Sequence, residues 1–454
     1  MNRQRNTFTG RLGFVLSAAG ASVGLGNIWR FPYLAAQYGG GIFLLVYIIL
    51  ALTFGYTMII AETAIGRMTG KSPVGAFASF SDKRWVRIGG WINAIIPILI
   101  VPYYSVIGGW VVRYLVEYIL GDAHALAQSD AFTSMIASGY TSEVWFLVFT
   151  GLVLAVIFMG VRSGIERVSK IMMPILVVLA IVVCIYSMTR PGAMAGVKYF
   201  LIPNPKNFSW MTVVVAMGQM FYSLSIAMGI LVTFGSYMKK DISIEHSTKQ
   251  LEFFDTGIAI VAGLMIIPAV FAFSGDNAAN NLNAGPSLMF ITMPQIFDAM
   301  GFGNAIGAVF FLLVLFAALT SAIALAESAV STFEDQLHWS RRKATVIIGM
   351  IIILLGSLSA LGYGPLSGVT IIGMQFLDFF DFLTNSIMMP IAACATCLVV
   401  VYVIGREKIG KEVLLGGAFR RREIFNFMIK YLAPLFAIII LLSSIANTFG
   451  LISM

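Results

Sequence analysis

The sequence predicts an all-helical protein that crosses a membrane many times. Three observations carry that prediction. Of 454 residues, 59% are hydrophobic and 11% charged, with a mean hydropathy of +0.90, whereas a soluble domain carries about 25% charged residues. Apolar runs of the roughly 20 residues that a bilayer core requires recur along the chain. Basic residues gather in alternate connections, the asymmetry that orients membrane helices.

Eleven spans are predicted, near 11–37, 41–66, 88–120, 144–161, 166–188, 210–237, 250–274, 302–333, 342–360, 371–404 and 425–450. Arg67, Lys71, Lys83, Arg84 and Arg87 follow the second span, and Arg162, Arg167 and Lys170 the fourth. Lys239, Lys240 and Lys249 follow the sixth, Arg341, Arg342 and Lys343 the eighth, and Arg406, Lys408, Lys411 and Arg420 to Arg422 the tenth. Connections 121–143 and 275–301 hold no Lys or Arg, and both are read as external lids. Only 189–209, with Arg190, Lys198 and Lys206, departs from the pattern. The positive-inside rule then places the N-terminus in the cytoplasm and the C-terminus outside. The net charge of +8 reads as topology, not as a nucleic-acid surface.

Enzyme chemistry finds no foothold. His124, His246 and His338 are scattered, and Cys394 and Cys397 lie in the apolar run "IAACATCLVVV", where they read as packing residues. "GRMTGKS" at 66–72 is one residue short of a phosphate-binding loop and follows a membrane span, not a strand. Glu62 in "IIAETAIGR" lacks a catalytic partner and is expected to bond an unwound backbone.

The first span breaks its own helix. "ASVGLGNIWRFP" carries Gly24, Gly26, Arg30 and Pro32. Unsatisfied backbone groups cost several kcal/mol each in hydrocarbon, so such a break belongs where it lines a cavity. The sixth span, "MGQMFYSLSIAMGILVTFGSY", has a similar middle at Ser223, Ser225 and Gly229. Breaks five spans apart predict an inverted repeat, 1–190 against 191–405, followed by a loop and last span at 406–454. Half-helix ends at such breaks suit a carboxylate at the N-terminal side and Na⁺ at freed carbonyls.

"RLGFVLSAAGASVGLGNIWRFPYLAAQYGGGIFLLVYI", "GQMFYSLSIAMG" and "FAALTSAIALAES" resemble the first, sixth and eighth helices of the neurotransmitter:sodium symporter family. The resemblance runs through most of the chain, without a twelfth helix, as in some bacterial members. It implies a 5+5 inverted-repeat transporter fold with unwound helices 1 and 6 and one extra C-terminal helix. It also implies two Na⁺ sites and no organic cofactor. The first site would use the Ser22 carbonyl, Asn27, Ser223 and a residue on span seven. Counting back from Gly263 gives Asp255 for that residue, and gives Ala259 where animal relatives have a chloride-binding serine. The second site would use the carbonyls of Gly20, Val23 and Ala317 with the hydroxyls of Thr320 and Ser321.

The resemblance further places a substrate α-carboxylate on the amides of Leu25 and Gly26, with Tyr104 donating to it and Ala21, Ser22 and Ser223 alongside. Gly24 stands where monoamine carriers have an aspartate, which implies an α-amino acid. Ile100, Tyr222, Ser225, Met228, Ser321 and Leu325 would line a mainly apolar side-chain pocket. Tyr103 is read as an aromatic core residue. An outer gate would pair Arg30 with an aspartate in "FLDFFDFLTN"; spacing back from "VYVIG" favours Asp381 over Asp378. An inner gate would join Arg5, Asp335 and Tyr237, and Phe8, in place of a frequent tryptophan, would leave the plug looser. The expected function is Na⁺-coupled, chloride-independent symport of a neutral, hydrophobic amino acid, with the lipid bilayer and the ions as partners and no nucleic acid. A passive channel with similar broken helices is the alternative.

Overall fold

In the computed structural model, residues 7–275, 287–300 and 302–448 are described. The first apolar run forms α1 (Arg11–Ser22) and α2 (Gly26–Gln37), bent by 54° at the break between them. Then come α3 (Gly41–Thr69), α4 (Arg84–Leu120), α5 (Gly139–Gly160) and α6 (Arg167–Met188). The sixth predicted span is divided into α7 (Trp210–Ser223) and α8 (Ile230–Ser236). The remainder comprises α9 (Ile244–Ser274), α10 (Gly303–Leu337), α11 (Arg341–Leu361), α12 (Phe376–Ile404) and α13 (Arg422–Thr448). Several starts are set by side-chain caps: Ser209, Ser243 and Ser340 each accept a backbone N–H from the first turn they precede. The connection 121–143 is not a bare loop but holds the short helices Ala123–Leu126 and Ala131–Ala137. Of the other expected lid, residues 276–286 lie outside the described residues.

By length and composition, eight helices among the described residues can cross a membrane, or nine with α1 and α2 taken as one. That is fewer than the eleven expected. Two predicted spans, 144–161 and 166–188, fall in one continuous stretch, Gly139–Met188, although Gly160 at φ 86, ψ −176 interrupts its helical path. The run 210–237 is cut at 224–229, and each half is too short to span alone.

α4 is central: it packs on α5, α10, α11 and α12, and its most apolar window is 83% buried, against 28% for peripheral α13. α4 and α12 run antiparallel, because Tyr103 meets Asp381 while Gly89 meets Ala395. α8 lies on α3 with backbones nearly touching: a Cβ on Gly66 would collide with the Val232 carbonyl. α1 rests on α9 and α10.

"GRMTGKS" closes α3 and is no phosphate loop; its Arg67 turns into the protein. The guanidinium donates to Glu412 Oε1 at 2.7 Å, to the Ile242 carbonyl at 2.6 Å and to the Glu412 carbonyl. Lys240 shares the Glu412 carboxylate at 2.8 Å. Glu245, at the start of α9, accepts from the backbone of Arg420 at 2.6 Å and of Arg421 at 3.3 Å. The α12–α13 connection is thereby clasped to the ends of α3 and α9. Removing one partner of a buried ion pair costs about 3–5 kcal/mol, because the other charge stays behind unpaired. Glu412→Ala should therefore lower the thermal unfolding temperature in detergent sharply. Lys240→Ala, whose ammonium is 56% exposed, should change it little; equal effects would contradict the clasp.

Candidate substrate and ion site

Breaking a helix frees backbone groups, and here several of them meet side chains from the same span or from neighbouring helices. Gly24 N–H donates to Asn27 Oδ1 at 3.2 Å and Leu25 N–H to the Tyr104 hydroxyl at 3.3 Å. Gln219 on α7 donates to the Gly26 carbonyl at 2.8 Å. Ser321 on α10 donates to the carbonyls of Gly20 and Ala21 at 3.2 and 3.0 Å, and Ser225 also reaches Ala21 at 3.1 Å. In the second break, Ser225 (φ 53) and Ala227 (φ 60) take left-handed backbone that L residues avoid, at roughly 1–3 kcal/mol each. Glu62 on α3 holds it by accepting from Ala227 N–H at 2.8 Å, the unwound-backbone contact expected of it.

The two breaks, α4 and α10 line a small cavity. Its lining is Ala21, Ser22, Gly24, Leu25, Gly26, Ile100, Tyr104, Tyr222, Ser225, Met228, Ser321 and Leu325. Of the thirteen substrate-side residues expected from the sequence, only Ser223 is outside this lining. No charged side chain lines it. At Gly24 there is no space for a side chain: a Cβ would lie 2.6 Å from Ser321 Oγ and 3.0 Å from the Tyr104 hydroxyl.

Ser223 belongs instead to a buried carboxylate. Asp255 on α9 is fully buried. Its Oδ1 accepts from Asn27 Nδ2 at 2.8 Å and Ser223 Oγ at 2.9 Å, and its Oδ2 from the Tyr47 hydroxyl at 3.0 Å. Sequence reasoning brought Asn27, Ser223 and Asp255 together but missed Tyr47, a single hydroxyl in the apolar run "FLLVYIIL". No Lys or Arg pairs with Asp255 among the described residues. Ser22 Oγ nearby is buried without a hydrogen bond. The Asp255 carboxylate and the hydroxyls of Ser223 and Tyr47 are oxygen groups that suit a hard cation, while Asn27 turns its Nδ2 to Asp255 and its Oδ1 to Gly24. Of the second expected ion set, Gly20, Ser321 and Thr320 meet where α1 crosses α10, with a Gly20 Cβ position 3.0 Å from Thr320 Cβ. Thr320 Oγ1 donates to the carbonyls of Phe316 and Ala317 at 2.9 and 3.2 Å. Val23, the remaining member, is buried at the end of α1.

The gate residues are arranged differently from expectation. The Arg30 guanidinium lies over the Tyr222 ring, 5.2 Å from its centroid. No ion pair joins it to Asp381 or Asp378 among the described residues. Asp381 accepts instead from Tyr103 at 3.1 Å and Asn385 at 2.5 Å. Tyr103 is thus a polar partner at the outer side, not only a core ring. On the other side, Arg5 lies outside the described residues. Asp335 accepts from Ser72 N–H at 2.6 Å. Tyr237 donates to buried Glu327 at 2.7 Å, and Arg341 pairs with the same carboxylate at 2.6 Å. Glu327 and Arg341 were not singled out, although Glu327 is the lone acid in "LTSAIALAES". Phe8 does not leave a loose plug: it is fully buried, edge-on to Phe14, Phe234 and Tyr237 with centroids 5.6–6.0 Å away.

Comparison with known proteins accords with this geometry. The model of the sodium:neurotransmitter symporter family matches residues 5–125 and 131–451. The uncharacterized sodium-dependent transporter YhdH of Bacillus subtilis is 33% identical over 98% of this chain and 97% of its own. The sodium- and chloride-dependent GABA transporter 2 of Macaca fascicularis is 26% identical, over 89% of this chain and 73% of its own. The crystal structure of MhsT in complex with L-phenylalanine superposes with a TM-score of 0.88 at 35% identity, covering 97% of this chain and all of that one. The chain belongs to the sodium:neurotransmitter symporter family, shares the transporter fold of MhsT, and is a sodium-coupled membrane transporter.

Proposed function

We propose that this transporter carries neutral, hydrophobic α-amino acids inward with Na⁺ and does so without chloride. The observation that carries the reading is a charge-free, mostly apolar cavity whose floor is broken backbone, next to a buried carboxylate among oxygen donors. The substrate α-carboxylate is assigned to the amides of Leu25 and Gly26 and the Tyr104 hydroxyl. Ile100, Tyr222, Met228 and Leu325 then face its side chain. The hydroxyls of Ser225 and Ser321 are turned to the Ala21 carbonyl, so the pocket presents little to a polar side chain. MhsT, bound to L-phenylalanine, supports this substrate class.

One Na⁺ is assigned to the Ser22 carbonyl, Asn27, Ser223 and Asp255, and a second to the carbonyls of Gly20, Val23 and Ala317 with Thr320 and Ser321. A negative charge about 5 Å from a cation, through an effective dielectric near 20, contributes roughly 3 kcal/mol to holding it. Asp255, when ionised, supplies that charge from the protein itself. Ala259, one turn further along α9, is fully buried and offers no hydroxyl to an external anion. On the empty return step the same carboxylate is assigned a proton in place of Na⁺. Arg30 and Asp381, acting through Tyr222 and Tyr103, form the outer gate; Arg5, Asp335 and Tyr237 form the inner one. The repeats are 1–190 and 191–405, with 406–454 appended, and the N-terminus is cytoplasmic. A passive channel is not favoured, because the cavity is covered by Tyr222 and Arg30 on one side and the Phe8 cluster on the other.

Purified protein in liposomes should concentrate leucine or phenylalanine when an inward Na⁺ gradient is imposed, equally in chloride and gluconate. Uptake that persists in K⁺ medium would sink the coupling, and a strict chloride requirement would sink the role of Asp255. Gly24→Asp should lower amino-acid affinity at least about a hundredfold, because it both crowds Ser321 and Tyr104 and sets a second carboxylate against the substrate's own in a poorly solvated site. Native affinity in that variant, measured by calorimetry, would refute the placement of the carboxylate.

A further inference from the structure

The first turns of α4 present a surface that neither the substrate cavity nor the gates use. Arg84, Ile88, Trp91 and Ile95 recur at spacings of four, three and four, which places them on one stripe of an α-helix. All are turned outward: Ile88 is 47% exposed, Trp91 44% and Ile95 36%. Arg87 and Trp85 flank the stripe, and Trp85 is 39% exposed. The opposite face, with Val86, Gly89 and Gly90, is buried against the protein.

The polarity changes along the stripe in one direction. Lys83, Arg84 and Arg87 are exposed at its start, and no ion pair or side-chain hydrogen bond engages them among the described residues. The acid beside them is exposed Asp82, so two positive charges stay uncompensated. Trp85 sits between the two arginines, and Ile88, Trp91 and Ile95 follow them. From Arg84 to Ile95 the helix rises about 16 Å, close to half of a ~30 Å hydrocarbon core. The cations thus precede the indole and aliphatic side chains of the stripe, as headgroup precedes acyl chain in one leaflet. The neighbouring helix flanks the basic end: Ala395 of α12 packs on Gly89, and, because α12 runs antiparallel, Leu398 and Tyr402, 42% and 74% exposed, lie beside the start of α4.

We propose that this stripe binds an anionic phospholipid, its phosphate held by Arg84 and Arg87 and one acyl chain laid along Ile88, Trp91 and Ile95. Uncompensated cations at headgroup depth favour an anionic over a zwitterionic lipid, and the aliphatic continuation favours a lipid over a free anion. The inference depends on the membrane location and not on the identity of the transported substrate.

The test uses the purified, delipidated full chain in detergent micelles. It is titrated with dansyl-phosphatidylglycerol and separately with dansyl-phosphatidylcholine, with energy transfer from tryptophan as the readout. The native protein should prefer phosphatidylglycerol by about fivefold or more. Arg84→Gln with Arg87→Gln should weaken phosphatidylglycerol by up to about thirtyfold, the effect of removing two cations at a membrane surface, and leave phosphatidylcholine unchanged. Arg84→Lys with Arg87→Lys should retain most of the preference. Arg342→Gln with Lys343→Gln, a basic pair at the start of α11, should leave both lipids unaffected. Equal affinity of the native protein for the two lipids would overturn the proposal. So would an intact preference in the Gln variant, or loss of preference through Arg342 and Lys343.

Discussion

Backbone amides and carbonyls in a hydrocarbon-thick structure must find partners, and this molecule breaks two helices at that depth. The rest of the centre follows from meeting that demand. Asn27, Tyr104, Gln219, Ser225, Ser321 and Glu62 come from five different helices or their breaks, and each reaches a backbone group near a break. They fix the positions of α3, α4, α7 and α10 around the breaks. The cavity is the space these bonds hold open, and its shape is set by backbone as much as by side chains. The left-handed Ser225 and Ala227 show how strongly the surroundings determine the path of the chain there.

Asp255 adds a charge to this frame. A carboxylate fully out of water is costly unless paired, and three donors offset only part of that cost. No basic side chain completes the pairing among the described residues. The remaining demand is met most simply by a small cation, which links the sodium dependence of the family to one buried side chain. Asn27 couples the two sites mechanically: its Oδ1 holds the Gly24 amide at the cavity while its Nδ2 holds Asp255.

Much of this was legible in the sequence. Long apolar runs gave the helices, and Gly24 and Gly26 beside Arg30 and Pro32 marked the first break. The resemblance of "GLGNIWRFP" located nearly all of the cavity lining. What escaped were contacts between residues distant in sequence whose types carry no local mark. Tyr47 and Gln219 look like ordinary members of apolar runs until α3, α7 and α9 are assembled. Arg67 read as a topology marker, yet it pairs with Glu412, 345 positions away. Tyr103 and Tyr104 are adjacent and alike, and only the rotation of α4 assigns one to Asp381 and the other to the Leu25 amide. At Gly160 a glycine interrupts the helical path without ending the apolar run, so two predicted spans fall in one apolar stretch.

The most direct test of the account is sodium binding itself, measured with radiolabelled Na⁺ on purified native protein and on Asp255→Ala in chloride-free buffer. The account predicts saturable binding by the native protein and a loss of affinity of about a hundredfold in the variant. The converse substitution, Ala259→Ser, should leave native binding independent of chloride. Unchanged sodium affinity in Asp255→Ala, or native binding that appears only when chloride is added, would contradict it.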